Sequence, residues 1–189
     1  MKYLIKLIIF LLKPLSFLPA ILMMYIIFSF SSQTGNVSSQ LSYQVSYEIV
    51  TTGAQLTGQE LSSDEIYYYI ERIHFYVRKA AHMTEYFLLA IAISLPLYVY
   101  GLRGFPLLLL AGIICVGFAC TDEYHQTMVE GRGPSVRDVC IDSCGAFIGI
   151  ILVRIVCYIA LTPVRISQKR KARRARAAKR RQRMQYRQK

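Results

Sequence analysis

The 189-residue sequence contains no nucleophile elbow, no P-loop, no HExxH and no redox motif, so the common hydrolase, nucleotide-binding and zinc-protease signatures are missing. Cysteine is absent from every polar segment: Cys115, Cys120, Cys140, Cys144 and Cys157 all fall inside apolar runs. An odd number without loop placement excludes a disulfide framework. Cys140 and Cys144 share a helix face, but no His or further Cys stands at zinc-site spacing from them, and all five read as small polarizable packing residues. Acid is missing from residues 165–189, where 13 of the 23 basic residues fall. The net charge of +12 therefore belongs to a tail, and the rest of the chain is close to neutral. No internal repeat is visible.

What the sequence does have is long apolar runs. Hydrophobic residues make up 54% of the chain, above the roughly 45–50% of ordinary soluble domains. Crossing a hydrocarbon core takes roughly 20 predominantly apolar residues in a helix, and spans are expected at about 7–30, 80–100, 107–124 and 139–161. The first is read as an uncleaved anchor rather than a signal peptide, because "FSFSSQTG" is a poor small-residue cleavage site.

Lys2, Lys6 and Lys13 precede the first span, Arg103 sits between the second and third, and the basic tail follows the fourth. By the positive-inside rule these three segments face the cytoplasm. Both termini are then cytoplasmic, and residues 31–76 and 127–137 lie on the far side. In the longer outer loop, Ser62 stands three residues before Glu65, a capping box that starts a helix. Ile66, Ile70, Ile73 and Val77 recur at helical spacing, and Tyr67, Tyr68, Tyr69 and Tyr76 suit a bilayer–water interface. This helix is expected to lie along the outer surface and to feed into the second span. The Ser-rich stretch before it, "SSQTGNVSSQLSYQVSYEIV", is read as turn-rich with a short helix of unassigned role.

The informative residues are polar groups at span depth. Arg78, His82 and Glu85 share one face of the second span, with Tyr86 beside them and Lys79 adjacent. The third span ends "CTDEYHQ", delivering Asp122, Glu123, His125 and Gln126 to the outer end. The fourth opens "RDVCIDSCGAFIG", with Asp138 and Asp142 one turn apart and Gly145 and Gly149 on the same stripe. The loop between them, "VEGRGPS", adds Arg132. The expected topology brings all of these to one end. Ionisable groups at that depth cost a few kcal/mol or more and usually face an interior cavity with a partner. The small residues Gly145 and Gly149 permit close helix contact.

The ordered motifs "FSFSSQTG", "RKAAHMTEY", "TDEYHQ", "GR" and "RDVCIDSCGAFIG" resemble those of the VanZ-like family of small bacterial membrane proteins, over roughly residues 25–151. The resemblance implies a multi-pass protein of the bacterial cytoplasmic membrane and an association with low-level teicoplanin resistance, without vancomycin resistance. It implies no established reaction. By matching motif position it singles out Lys79, His82, Glu85, Tyr86, Asp122, Glu123, His125, Gln126, Arg132, Asp138 and Asp142. Met83 stands where the family more often has Phe.

Three readings of the cluster stay open. In the first, Arg78 and Arg132 grip phosphate or carboxylate of a lipid or cell-wall-precursor headgroup, since guanidinium forks match those groups, while the acids and His82 fix hydroxyls or amides. The second is an enzyme, a hydrolase or transferase. There His82, Glu85, Asp122, Glu123 and His125 divide acid and base roles. The i, i+3 pairs His82/Glu85 and Asp122/His125 could alternatively hold a divalent metal; otherwise no cofactor is expected. The third is a charge network that locks the bundle and binds nothing.

His74 reads as an ordinary surface residue, and Arg154 as a cation snorkelling to the inner interface. The tail lacks an apolar stripe and reads as a disordered topology determinant attracted to anionic inner-leaflet lipids. Nucleic acid is disfavoured, because Tyr186 is the tail's only aromatic residue. The expected architecture is all-α: a membrane domain over 1–163 with four transmembrane helices and an extracytoplasmic loop helix, then a basic tail over 164–189.

Overall fold

The computed structural model describes residues 13–187. The expectations resting on Lys2, Lys6, residues 7–12 and residues 188–189 lie outside the described part. A short 3-10 turn, Pro14–Phe17, leads into α1, Leu18–Ser31. There follow α2, Gly35–Thr57; α3, Ser63–Val99; α4, Phe105–Gln126; and α5, Val136–Arg187. The described residues contain no strand. Four helical segments, Pro14–Ser31, Ser63–Val99, Phe105–Gln126 and Val136–Thr162, are long and apolar enough to cross a membrane. The chain divides into two units, Met1–Ile151 and Leu152–Lys189, and the bundle described below belongs to the first.

Local sequence explains where the helices begin. Thr34 caps α2 by accepting from Val37 N, and Gly58, at φ 68°, ends it in the left-handed conformation that costs glycine least. At α3 the Ser62 and Glu65 capping box is complete: Glu65 Oε2 accepts from Ser62 N at 2.9 Å, and Ser62 Oγ accepts from Glu65 N.

Two expectations about the outer loop are corrected. The helix opened by Ser62 is not a separate element lying along the surface. It continues without a break into the second span as one helix of 37 residues. At about 1.5 Å per residue this is roughly 55 Å, against a hydrocarbon core of about 30 Å. No glycine or proline interrupts the run before Pro96, so nothing in the chain turns the axis at the interface. The stretch before it is also more ordered than a turn-rich segment, since α2 is a 23-residue helix packed on α3. A third correction concerns the tail, expected to be disordered, where α5 instead runs to Arg187. Beyond Pro163 the sequence has neither Gly nor Pro and is dominated by Ala, Arg, Lys and Gln, all strong helix formers.

The core is a set of helical stripes. On α3, Tyr86, Leu89, Ala90, Ile93 and Leu97 are buried; on α4, Leu107, Ala111, Cys115 and Ala119; on α5, Ala146 and Ile150. The opposite faces expose Leu109, Leu110 and Ile113 of α4 and Phe147, Ile148 and Ile151 of α5. An apolar face turned outward is what a bilayer solvates, and it leaves the interior to small and polar residues. The five cysteines are free thiols.

The tightest contact is between α3 and α5. A Cβ added at Gly145 would collide with the carbonyl oxygen of Met83, and one at Gly149 would press on the Phe87 carbonyl and the Ala90 side chain. Backbone meets backbone here, as the stripe Gly145–Gly149 predicts. Gly145→Ala should therefore destabilise the protein by about 1–3 kcal/mol through overpacking. Gly53→Ala, on α2 with open space around it, should stabilise by about 0.5–1 kcal/mol, as alanine does in a helix interior. Thermal unfolding of both variants in detergent micelles checks the contrast; an equal effect at the two positions would refute the close-contact account.

Candidate functional site

The buried stripes of α3, α4 and α5 all change character at the same end of the bundle. The α4 stripe runs Leu107, Ala111, Cys115, Ala119 and then becomes Asp122, Glu123 and Gln126, all buried. On α5 the order is reversed, with Asp138 and buried Asp142 preceding Ala146 and Ile150. On α3, Arg78, His82 and Glu85 precede Tyr86 and Leu89.

Much of this polar end is internally paired. Ser31 Oγ donates to Asp122 Oδ2 at 2.7 Å, and Gln126 Nε2 donates to the same carboxylate at 3.1 Å and to Ser31 Oγ at 3.2 Å. This network ties the end of α1 to the end of α4. Lys79 Nζ pairs with Asp138 Oδ1 at 2.5 Å, joining α3 to α5. Glu123 Oε1 accepts from Ser135 N at 2.6 Å, so α4 holds the residue just before α5. The loop between α4 and α5 is pinned from the other side: Gly35 N donates to Glu130 O at 3.0 Å. Gly131, at φ 73°, lies so close to Gly35 that a Cβ on Gly35 would strike its carbonyl oxygen.

That pinned loop delivers Arg132 to a cavity of about 190 Å³ between α2, α3 and the end of α1. Its lining includes Phe30, Gln33, Ser38, Arg78, His82, Glu85 and Arg132. Arg132 Nη2 reaches the Phe30 carbonyl at 3.4 Å, while its buried Nε and Nη1 have no hydrogen-bond partner among the described residues. Burial draws the Arg132 guanidinium below its ordinary pKa and Arg78 adds to this, with Asp122, Glu123 and Glu85 opposing. An arginine stays charged through any such shift, so Arg78 and Arg132 stand as like charges within electrostatic reach. Neither makes an ion pair among the described residues. His82 Nδ1 and Glu85 Oε2 are 3.6 Å apart, too far for a hydrogen bond.

Of the twelve residues singled out from sequence, Arg78, His82, Glu85 and Arg132 thus line one cavity. Lys79, Asp122, Glu123, Gln126 and Asp138 are engaged in the pairs above. Tyr86 and Asp142 are buried in the packing, where the Tyr86 hydroxyl and Asp142 Oδ1 have no hydrogen-bond partner among the described residues. His125 is turned toward α1, its ring 4.3 Å from that of Phe28, and does not join the cavity. Among the described residues no three His, Cys, Asp or Glu side chains are placed to hold a metal ion.

Sequence reasoning missed the serines. Ser31 is the partner of Asp122, and Ser38 and Ser42 bring α2 to the cavity wall. The spacing of Ser38, Ser42 and Ser46 was a usable signal, because it puts three small polar residues on one helical stripe, and Ser46 is fully buried.

Fold and site together define a multi-pass α-helical membrane protein with a polar cluster at one end of its bundle. A family model described as VanZ/LLP1 matches residues 16–157, about three quarters of the chain, and the protein belongs to that family. No curated protein and no solved structure matches the chain.

The Ser31 network yields a test. Ser31→Ala removes the shorter of the two bonds to the buried Asp122 carboxylate and should cost about 1–3 kcal/mol, the range for stranding a buried polar group. Ser29→Ala, whose hydroxyl only back-bonds to Tyr25 O on an exposed face, should change stability little. Chemical or thermal denaturation in micelles measures both.

Proposed function

We propose that the cavity binds an anionic group of an envelope molecule, a lipid or cell-wall-precursor headgroup, and that this binding underlies a role in the response to glycopeptides such as teicoplanin. The reading rests on one observation: two guanidinium groups, Arg78 and Arg132, line the same small cavity without a carboxylate bonded to either. Bringing like charges together is unfavourable, and a phosphate or carboxylate between them converts repulsion into charge-assisted hydrogen bonds. The basic residues of the amino end, Arg103 and the tail put the termini in the cytoplasm by the positive-inside rule. The cavity then opens on the extracytoplasmic side, where an outer-leaflet headgroup is within reach. Membership of the VanZ/LLP1 family supports the link to envelope physiology.

The neighbouring His82 and Glu85 favour a second reading, in which the bound ester is also cleaved or transferred by acid–base catalysis. Release of phosphate or of a headgroup on incubation with lipid would select it; binding without turnover selects the first.

Arg132→Gln and Arg78→Gln should each weaken retention of anionic lipid by about 10- to 100-fold, the equivalent of losing a charged hydrogen bond of about 1.5–3 kcal/mol. Native mass spectrometry of protein purified from micelles reads this directly. In cells, the same variants should accumulate normally and lose any shift in teicoplanin susceptibility that the unaltered chain confers. Variants that bind lipid as the unaltered chain does would remove the proposal.

A further inference from the structure

Resting on the anion-binding reading above, we infer that the ligand group is a phosphodiester carrying a small hydroxylated headgroup, of the size of glycerol, rather than a bare phosphate, an amine-bearing headgroup or a sugar chain. Size comes first. A cavity of about 190 Å³ lies below the roughly 300–1,000 Å³ of sites that enclose drug-sized ligands. A phosphate with a three-carbon headgroup suits that space, whereas a disaccharide or an entire glycopeptide does not. Whatever is attached beyond the phosphate stays outside.

The unused polar groups give the chemistry. Arg78 and the free Nε and Nη1 of Arg132 are donors only, and suit the non-bridging oxygens of a phosphate. The remaining lining is different in kind. Glu85 presents a carboxyl group that makes no hydrogen bond among the described residues, with His82 Nδ1 standing 3.6 Å away. The side chains of Gln33 and Ser38 make no hydrogen bond within the described protein, and Ser42 donates to the Ser38 carbonyl at 3.0 Å, leaving its oxygen free to accept. Acceptors and two-way groups of this sort recognise hydroxyls. A bare phosphate would leave them unmatched, and a site built to bond a hydroxyl discriminates strongly against a ligand that lacks it. An ammonium headgroup would find Glu85 but would enter beside two guanidinium groups, where the lining already holds more cations than anions. The lining therefore combines donors that suit phosphate with acceptors and two-way groups that suit hydroxyls.

The test uses the full chain in detergent micelles, titrated with short-chain phosphatidylglycerol, phosphatidic acid and phosphatidylethanolamine and with free glycerol phosphate. Bound species are counted by native mass spectrometry. Phosphatidylglycerol should bind about tenfold or more tightly than phosphatidic acid or phosphatidylethanolamine, a difference of one well-made hydrogen bond to a charged group. Glu85→Gln should erode that preference, lowering phosphatidylglycerol binding by about tenfold more than phosphatidic acid binding. Phosphatidic acid binding in the same preparation reports that the variant is folded. Free glycerol phosphate bound as tightly as the lipid supports the same chemistry and places its source in solution; much weaker binding places it in the bilayer. Equal binding of phosphatidylglycerol and phosphatidic acid, lost in Arg132→Gln but untouched by Glu85→Gln, would overturn the headgroup assignment while leaving the anion site standing. Preference for phosphatidylethanolamine would overturn it in favour of an amine. Binding of none of these by the unaltered chain would remove the anion-binding reading itself.

Discussion

Everything at the polar end of this bundle follows from the cost of placing charge where lipid is the solvent. An ionisable side chain at span depth must turn inward and find a partner, and the helices obey this by carrying their charges on the stripes that also form the core. Asp122, Glu123 and Gln126 continue the line of Ala111, Cys115 and Ala119, and Asp142 continues that of Ala146 and Ile150. The bundle therefore needs no separate scaffold for its polar groups. The packing that buries Leu89 against its neighbours also sets the register in which Lys79 meets Asp138.

The polar cluster is not uniform, and the difference between its parts separates a lock from a site. The Ser31–Asp122–Gln126 network, the Lys79–Asp138 pair and the Glu123 bond to Ser135 N each join two segments of the chain. These are the contacts expected of a network that fixes helix register, and they account for five of the twelve polar positions. A lock of this kind gains by satisfying every member, since a partly satisfied buried network is worse than an apolar one. Among the described residues, Arg132 leaves Nε and Nη1 unbonded and His82 leaves Nδ1 unbonded, and both line one cavity with Arg78 and Glu85. Tyr86 and Asp142 also keep unbonded polar atoms within the packing, but the two guanidinium groups converge on one cavity, and that convergence of like charge marks a site.

Much of this was legible in the sequence because helical geometry is local. Arg78, His82 and Glu85 fall on one face by spacing alone, and Gly145 and Gly149 announce a close helix crossing that the collision with Met83 O makes concrete. The illegible parts are those where the chain's neighbours, rather than its own period, decide the outcome. Nothing local says that Ser31 will meet Asp122, 91 residues away. His125 and Gln126 adjoin in sequence, yet one faces Phe28 and the other the Ser31 network, a division set by where α1 passes. The α2 helix was hidden for a related reason. Its Ser-rich face looks like loop composition, but serines can back-bond to the preceding turn, as Ser42 and Ser46 do, and so stay helical while keeping the face small.

That small face explains why the cavity lies where it does. Ser38 and Ser42 let α2 cross α3 near Arg78 and His82 without filling the space between them. The start of α2 is held by Gly35 N on Glu130 O, in a contact that a side chain on Gly35 would block, while Gly131 takes a left-handed φ of 73° that favours glycine. The residue following Gly131 is Arg132. One backbone contact thus fixes both the helix that roofs the cavity and the loop that brings its guanidinium, so the shape of the cavity and its charge are not independent. A substitution that loosens the Gly35–Gly131 contact acts on both at once.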